Sequence, residues 1–300
     1  MIYNLGSINI DHFYRLDHLP AAGETLAAES YHMGLGGKGA NQSAAAAKAG
    51  ARVAHIGAVG PEGHWTVERL AGWGVDVTHI ARLDTASGHA IINVDATGEN
   101  TIILSPGANW ALGWDRVEGA LAGATPSDML ILQNETAHQA AAAALAHARG
   151  MRVFYSAAPF DEDAVRAVLP YLTTLALNVV EADQLCAALG QPLDRLDVPE
   201  LLVTRGAEGA EWRARSGARA FAPALKVRAV DTSGAGDTFA GYFAAGRDRG
   251  LAPQQALDWA AAAAALKVTR SGTADAIPTA TEVADFTRRQ AVLLPERPKA

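Results

Sequence analysis

Small residues run through Asp231-Thr232-Ser233-Gly234-Ala235-Gly236-Asp237-Thr238-Phe239 straight into the apolar helical pattern Phe239-Ala240-Gly241-Tyr242-Phe243. Gly234 and Gly236 let a ligand approach the backbone closely. The amides of such a turn, with the positive end of a helix behind them, make a site for an anion the size of a phosphate. Asp237 stands beside that site and has two readings. It is a first-turn acid that caps the helix, or a base that takes the proton of a hydroxyl attacking the bound anion. Spacing alone leaves both open.

A second glycine-rich turn, Gly34-Leu35-Gly36-Gly37-Lys38-Gly39-Ala40-Asn41, also opens a helical pattern. Gly34, Gly36 and Gly39 satisfy the dinucleotide spacing G-x-G-x-x-G, yet residues 30–33 make a poor buried strand. The acid wanted about 20 residues further on falls only at Glu62, in a turn. A phosphate-binding loop fails as well, because His32 stands where its first glycine belongs and Gly39 follows the lysine in place of Ser or Thr. What remains is a glycine-lined surface with one cation, Lys38, and one amide, Asn41, suited to a small polar ligand.

Asn178 and Glu181, at the end of a strand pattern, either cap a helix or hold the water shell of Mg²⁺. Thr204-Arg205-Gly206-Ala207-Glu208-Gly209 closes a strand as an ordinary turn or the edge of a nucleotide site would. The 9 histidines show no metal spacing, and His12, His55, His64 and His89 read as surface or local residues. No G-x-S-x-G elbow occurs, which leaves an α/β-hydrolase without support.

Such turns need a scaffold that delivers loops to one edge. Strand patterns at residues 2–10, 53–59, 77–81, 129–133, 152–156, 174–177 and 201–204 alternate with helical ones at 41–49, 66–73, 137–149, 161–168 and 181–189. This alternation predicts a parallel sheet covered by helices, with ligands at the carboxyl ends of its strands. A hairpin across 210–222, helices beginning near Gly236 and Pro253, a last helix at 281–291 and a frayed polar tail at 296–300 follow. Two stretches lack a helix: residues 12–35, and 88–104 with its turn at 95–98. They predict a small separate sheet over a cleft.

With 300 residues, 49% hydrophobic and 19% charged, the chain has the composition of a compact folded protein. Its net charge of -7 argues against a general nucleic-acid or anionic-membrane binder, so any anion must be bound locally. The single cysteine, Cys186, excludes an internal disulfide or a multi-thiolate metal site and fits a reducing cytosol. The start Met1-Ile2-Tyr3-Asn4-Leu5 lacks the basic segment of a secretory signal, and no apolar run reaches about 18 residues; a cytoplasmic protein is expected.

Taken together the motifs resemble the ribokinase-like sugar kinases, of phosphofructokinase B type. Gly6-Ser7-Ile8-Asn9-Ile10-Asp11, Gly36-Gly37-Lys38-Gly39-Ala40-Asn41, Gly98-Glu99-Asn100 with Gly107-Ala108-Asn109, Asn178 with Glu181, Thr204 with Gly206, and the turn from Asp231 to Phe239 are similar to that family's motifs and stand in its order. The resemblance implies a three-layer α/β/α domain with a mainly parallel sheet (residues 1–11, 36–85 and 106–300). It implies a small β-sheet lid (12–35 and 86–105), the lids pairing in a homodimer. The implied reaction transfers the γ-phosphoryl group of ATP to a sugar hydroxyl, with D-ribose at its 5-hydroxyl as the leading choice. By motif, Asp237 is implied as catalytic base, and the amides of Gly234, Ala235 and Gly236 as the anion hole. Asn9, Asp11, Gly37, Lys38, Asn41 and Glu135 are implied as sugar contacts. Asn178, Thr204, Gly206 and Gly209 fall on the nucleotide side, with Glu181 toward Mg²⁺ through water, while Asp231 and Ser233 match positions that bind a monovalent cation such as K⁺. The chemistry agrees, because phosphoryl transfer calls mainly for positioning and charge stabilisation.

The chain departs from the family at Gly60-Pro61-Glu62-Gly63, shorter than the usual G-x-D-x-x-G, at Ala261, where a histidine near adenine is common, and at Asn93 in a lid strand. Rival readings are a nucleoside, fructose or sugar-acid kinase, a sugar-binding module without turnover, and a nicotinamide oxidoreductase.

Overall fold

The computed structural model describes residues 1–293, and the tail expected at 296–300 lies outside the described residues. Short runs rich in β-branched and large apolar side chains, bounded by glycine or polar turns, form the strands. In chain order they are β1 (Ile2–Leu5), β2 (Asn9–Arg15), β3 (Ser30–Gly36), β4 (Val53–Val59), β5 (Val75–Asp76), β6 (Ile80–Arg82), β7 (Gly88–Val94), β8 (Asn100–Ser105), β9 (Met129–Gln133), β10 (Arg152–Ser156), β11 (Thr174–Asn178), β12 (Glu200–Thr204), β13 (Ala210–Ala214) and β14 (Arg219–Ala222). The α-helices are α1 (Lys38–Lys48), α2 (His64–Gly72), α3 (Ala108–Ala111), α4 (Trp114–Leu121), α5 (Gln139–Ala148), α6 (Glu162–Val168), α7 (Val179–Leu189), α8 (Ala235–Asp248), α9 (Pro253–Lys267) and α10 (Ala280–Leu293).

The main sheet runs β14-β13-β12-β11-β10-β9-β1-β4-β5, with β6 also paired to β4. It is parallel from β5 to β12 and antiparallel at β13 and β14. Successive side chains of a strand point to opposite faces. Ile2, Ile131 and Phe154 therefore pack into one core with α1, α2, α8, α9 and α10. Tyr3, Leu130, Leu132 and Tyr155 pack into the other, with α4, α5, α6 and α7. This is the α/β/α sandwich expected. The second sheet, β3-β2-β7-β8, stands apart from it.

Three local expectations are corrected. The run at 2–10 is two strands in different sheets, because the chain turns at Gly6, where α1 crosses so closely that a side chain would lie 2.4 Å from the Gly39 Cα. The strand at 77–81 gives way to β5 and β6, because Asp76 accepts from the Thr78 N–H at 2.9 Å and bends the chain between them. Helices α3 and α4 were not anticipated, although the buried Val117, Ala120 and Leu121 of α4 carry the i, i+3, i+4 spacing that marks one.

Helices α1 and α8 carry the two glycine-rich turns at their N-termini and pack directly together. At Gly241 of α8 an added Cβ would lie 2.5 Å from the Ala45 Cβ and 2.6 Å from the Gln42 carbonyl oxygen of α1. Gly241→Val is expected to force the helices apart, lowering stability by about 1–3 kcal/mol and activity with it. The denaturation midpoint reads the first effect, and an unchanged midpoint would contradict this packing.

Candidate active site

Strand β1 lies between β4 and β9, so connections from the centre of the sheet leave in both directions and a crevice opens beyond the carboxyl ends. Two cavities occupy it. The larger, of about 180 Å³, is walled by the ends of β10, β11 and β12, by Asn178, Glu181 and Thr204, and by Lys38 and the turn Gly234–Asp237. The smaller, of about 130 Å³, is lined by Asn109, Asn134 and Glu135 and by Asn9, Leu104 and Ser105 of the second sheet.

Asp237 sits in the first turn of α8, whose N-cap, Gly234, takes the left-handed conformation (φ 69°) that favours glycine. The carboxylate does not cap its own helix. It accepts from Asn41 Nδ2 at 2.9 Å and from Gln42 Nε2 at 3.0 Å, both on α1. Asp237 remains a first-turn acid of α8, but its oxygens are not spent on a cap: both are held by another helix on the wall of the larger cavity.

Lys38 joins the cavities. Its side chain lines the larger one, while its backbone N–H donates to Glu135 Oε2, at 3.1 Å, in the smaller. Asp237 beside it holds its ammonium above the ordinary value; burial opposes this, and Glu135, Glu181 and Asp11 add to it. Glu135 also accepts from Ser7 Oγ at 2.5 Å. Asp11, on β2, is buried against Gly36, where a Cβ would lie 1.9 Å from its carboxylate. Burial, then the charges of Glu135 and Asp237, push its carboxyl up to about 7, with Lys38 opposing. An acidic cluster around one lysine suits an uncharged polyol, whose hydroxyls donate to carboxylates.

Asn178 and Glu181 form a capping box: each side chain accepts from the other's backbone N–H, at 2.9 Å and 2.8 Å. Both also line the larger cavity, so the structural role coexists with exposure to a ligand. Burial raises the Glu181 carboxyl above its ordinary value. Thr204 completes that wall. Gly206 and Gly209, expected beside it, lie off it in the β12–β13 connection, where Gly209 serves packing: a Cβ there would lie 2.1 Å from the Ala222 carbonyl oxygen. Gly37 caps α1, and Ala261 is buried in α9 away from the cavity. Asp231 and Ser233 do not line the cavity either. Asp231 accepts from the Ser233 N–H at 2.8 Å and the Gly272 N–H at 2.9 Å, and the ammonium of Lys267 lies against it.

The reading of His55 as a surface or local residue is corrected. It is fully buried in β4, and burial pushes its imidazole down to about 4, so it is neutral. Nε2 donates to the Gly6 carbonyl at 3.0 Å and Nδ1 accepts from Ser43 Oγ at 2.8 Å. From there Asn4 donates to Ser43, Gln133 donates to both Asn4 and Gln42, and Gln42 donates to Asp237. A buried polar network thus runs under the sheet's edge and fixes the Asp237 carboxylate. Sequence reasoning missed Gln42, Asn109 and Lys267. Gln42 and Asn109 adjoin or fall within motifs already noted, whereas a lysine closing an alanine-rich helix gives no signal of burial.

The family of pfkB carbohydrate kinases matches residues 1–280. The chain is 33% identical over 297 residues to a ribokinase of Haemophilus influenzae, covering 94% of this chain and 96% of that one. It is 31% identical over 293 residues to a deoxyribokinase of Salmonella typhi, covering 91% and 94%. Its fold is similar to the solved structure of Arabidopsis thaliana ribokinase complexed with ribose and ATP, with a TM-score of 0.84, 27% identity and coverage of 95% and 97%. Fold, motif order and relatedness agree along almost the whole chain, which belongs to the pfkB family of carbohydrate kinases.

Proposed function

We propose that the chain transfers the γ-phosphoryl group of ATP to the 5-hydroxyl of D-ribose, with Asp237 as the base. The observation that carries this reading is the Asp237 carboxylate, fixed by Asn41 and Gln42 on the cavity wall beside the Gly234–Gly236 turn. The sugar occupies the smaller cavity and its neighbourhood, donating hydroxyls to Asn9, Asp11 and Glu135, with Gly37, Lys38 and Asn41 along its edge. Asp237 takes the proton of the attacking hydroxyl while the amides of Gly234, Ala235 and Gly236 stabilise charge on the transferred group. Asn178 and Thr204 flank the nucleotide, and Gly206 and Gly209 support that edge from behind.

Mg²⁺ is part of the proposal. No group of three His, Cys, Asp or Glu side chains among the described residues could enclose a metal ion. The donors present instead suit a cation that keeps its waters and arrives with phosphates. Glu181 has one oxygen committed to the capping box and the other free to accept from such a water. When bound, Mg²⁺ neutralises charge on the phosphates.

The division into a kinase domain (1–11, 36–85 and 106–300) and a lid (12–35 and 86–105) belongs to the same reading, the lid excluding water that would compete for the phosphoryl group. Alternation along its strands puts Tyr31, Met33 and Ile103 on one face, exposed by 49%, 53% and 62%. These residues support a homodimer formed through the lid, to be tested by light scattering. A cytoplasmic site of action fits ATP as substrate; no helix among the described residues is long and apolar enough to cross a membrane.

The relatedness to a deoxyribokinase favours 2-deoxyribose as the second reading. ADP release measured with ribose, 2-deoxyribose, fructose, nucleosides and sugar acids separates them. The highest kcat/KM is expected with ribose. A higher value with another sugar reassigns the substrate, and no sugar-stimulated ADP release overturns the kinase reading.

A further inference from the structure

Behind the Gly234–Gly236 turn the chain buries a cation of its own. Lys267 ends α9, has 0% exposure, and donates from its ammonium to the Asp231 carbonyl at 3.0 Å, with the Asp231 carboxylate at 3.9 Å. That carboxylate organises the turn, because its two oxygens accept from the Ser233 and Gly272 N–H groups. The Val268 carbonyl accepts from the Val230 N–H at 2.7 Å and the Asp231 N–H at 3.2 Å, clamping the turn to the end of α9. Segments 230–233 and 267–272 thus converge around one ammonium.

Burial pushes the Lys267 ammonium below its ordinary value, and Asp231 and then Asp237 oppose that. Burial also acts to raise the Asp231 carboxyl, but hydrogen bonds from Ser233 and Gly272 and the charge of Lys267 outweigh it and hold it low. The ammonium, which donates to the Asp231 carbonyl and lies 3.9 Å from its carboxylate, is the charge that balances this acid. A second cation on the same carboxylate would lie close to that ammonium, where like charges in a low-dielectric setting repel strongly. The residues here do not fit K⁺.

We propose that Lys267 is the resident cation of this site, its ammonium standing where Asp231 and Ser233 would otherwise hold K⁺, so that catalysis needs no added monovalent cation. Lys267 is a positioning residue: it touches neither cavity, and it acts by holding the turn that presents the Gly234–Gly236 amides and by cancelling an acid behind them. The proposal rests on the kinase reading.

The test measures ribose-dependent ADP release with tetramethylammonium as the only monovalent cation, then with K⁺, NH₄⁺ or Na⁺ at constant ionic strength. The unmodified protein is expected to turn over without alkali cations and to respond to K⁺ by less than about twofold. Lys267→Ala removes the ammonium and leaves space beside Asp231. It is expected to lose at least about tenfold in kcat in tetramethylammonium, because a half-buried carboxylate behind the turn is left uncompensated, and to recover with K⁺ or NH₄⁺. Its Tm is expected to rise with K⁺ while that of the unmodified protein does not, a readout a purely structural lysine would not give. Several-fold K⁺ stimulation of the unmodified protein overturns the proposal. So does a folded Lys267→Ala that is fully active in tetramethylammonium, or one whose activity and Tm both ignore K⁺ and NH₄⁺. Absence of sugar-stimulated ADP release in every cation would count against the kinase reading, with the Tm comparison still deciding the role of Lys267.

Discussion

Asp237→Asn is expected to lower kcat by roughly 10²–10⁴-fold, the range for loss of a general base, while leaving the Kd for ribose nearly unchanged. The change keeps the side chain's size while removing its charge, felt by Lys38 and Asp11, and its ability to take a proton. The neighbours can absorb it. Asp237 accepts from two amide groups, and a new amide in its place would set one NH₂ against another. Asn41 has a way out, because its Oδ1 is buried without a hydrogen-bond partner among the described residues. Rotating that amide turns the unused acceptor toward the new donor. Of the groups proposed for the sugar only the Asn41 amide, at the pocket's edge, turns; the acceptors at Asn9, Asp11 and Glu135 are untouched, so the loss should fall mainly on kcat. Single-turnover kinetics together with calorimetric ribose binding read the two quantities separately. Turnover near that of the unmodified protein would sink Asp237 as the base, and a large loss of ribose affinity would show that the site had rearranged.

The same residue shows what the sequence could and could not reveal. The turn around Asp237 was legible because its glycines and the helix behind them follow a local rule, but local rules gave a cap and a base equal standing. What speaks against the cap is the pair Asn41 and Gln42, nearly two hundred positions away in the chain, which hold both carboxylate oxygens; the base is the role proposed for it. For Asn178 and Glu181 the cap is formed and still leaves room for the proposed Mg²⁺ role, since one oxygen of Glu181 caps while the residue lines the cavity. Strands at Val53–Val59, Met129–Gln133 and Arg152–Ser156 were read with their bounds, because a strand buried on both faces is a continuous apolar run between polar turns. The run from Ile2 was misread because the close crossing at Gly6 and Gly39 is a tertiary fact. Lys267 and His55 were missed for the same reason: both look polar and local in sequence, and both are buried by partners that arrive from elsewhere.

Asp11→Asn is expected to raise the KM for ribose by about 10–100-fold, the loss of hydrogen bonds to a charged acceptor, and at the same time to stabilise the free protein. Both follow from the carboxyl that burial and the charges of Glu135 and Asp237 push from 3.8 to about 7. In the unfolded chain this group ionises near its ordinary value, so between about pH 4 and 7 the folded state holds the extra proton, and stability falls as pH rises through that window. Above about pH 7 the folded protein carries an ionised, buried acid beside two others, a strain that sugar hydroxyls relieve by donating to it. Ribose affinity is therefore expected to increase from pH 6 to pH 8 with an apparent pKa close to 7, and Asp11→Asn to flatten that profile. The Tm of the variant should exceed that of the unmodified protein at pH 8, with the gap closing toward about pH 4, where the acid is protonated in both states. A KM unchanged by the substitution would remove Asp11 from the sugar site. A variant melting below the unmodified protein at pH 8 would instead mean that the buried carboxylate is already satisfied without sugar, and that the pocket is not held under electrostatic tension for its substrate.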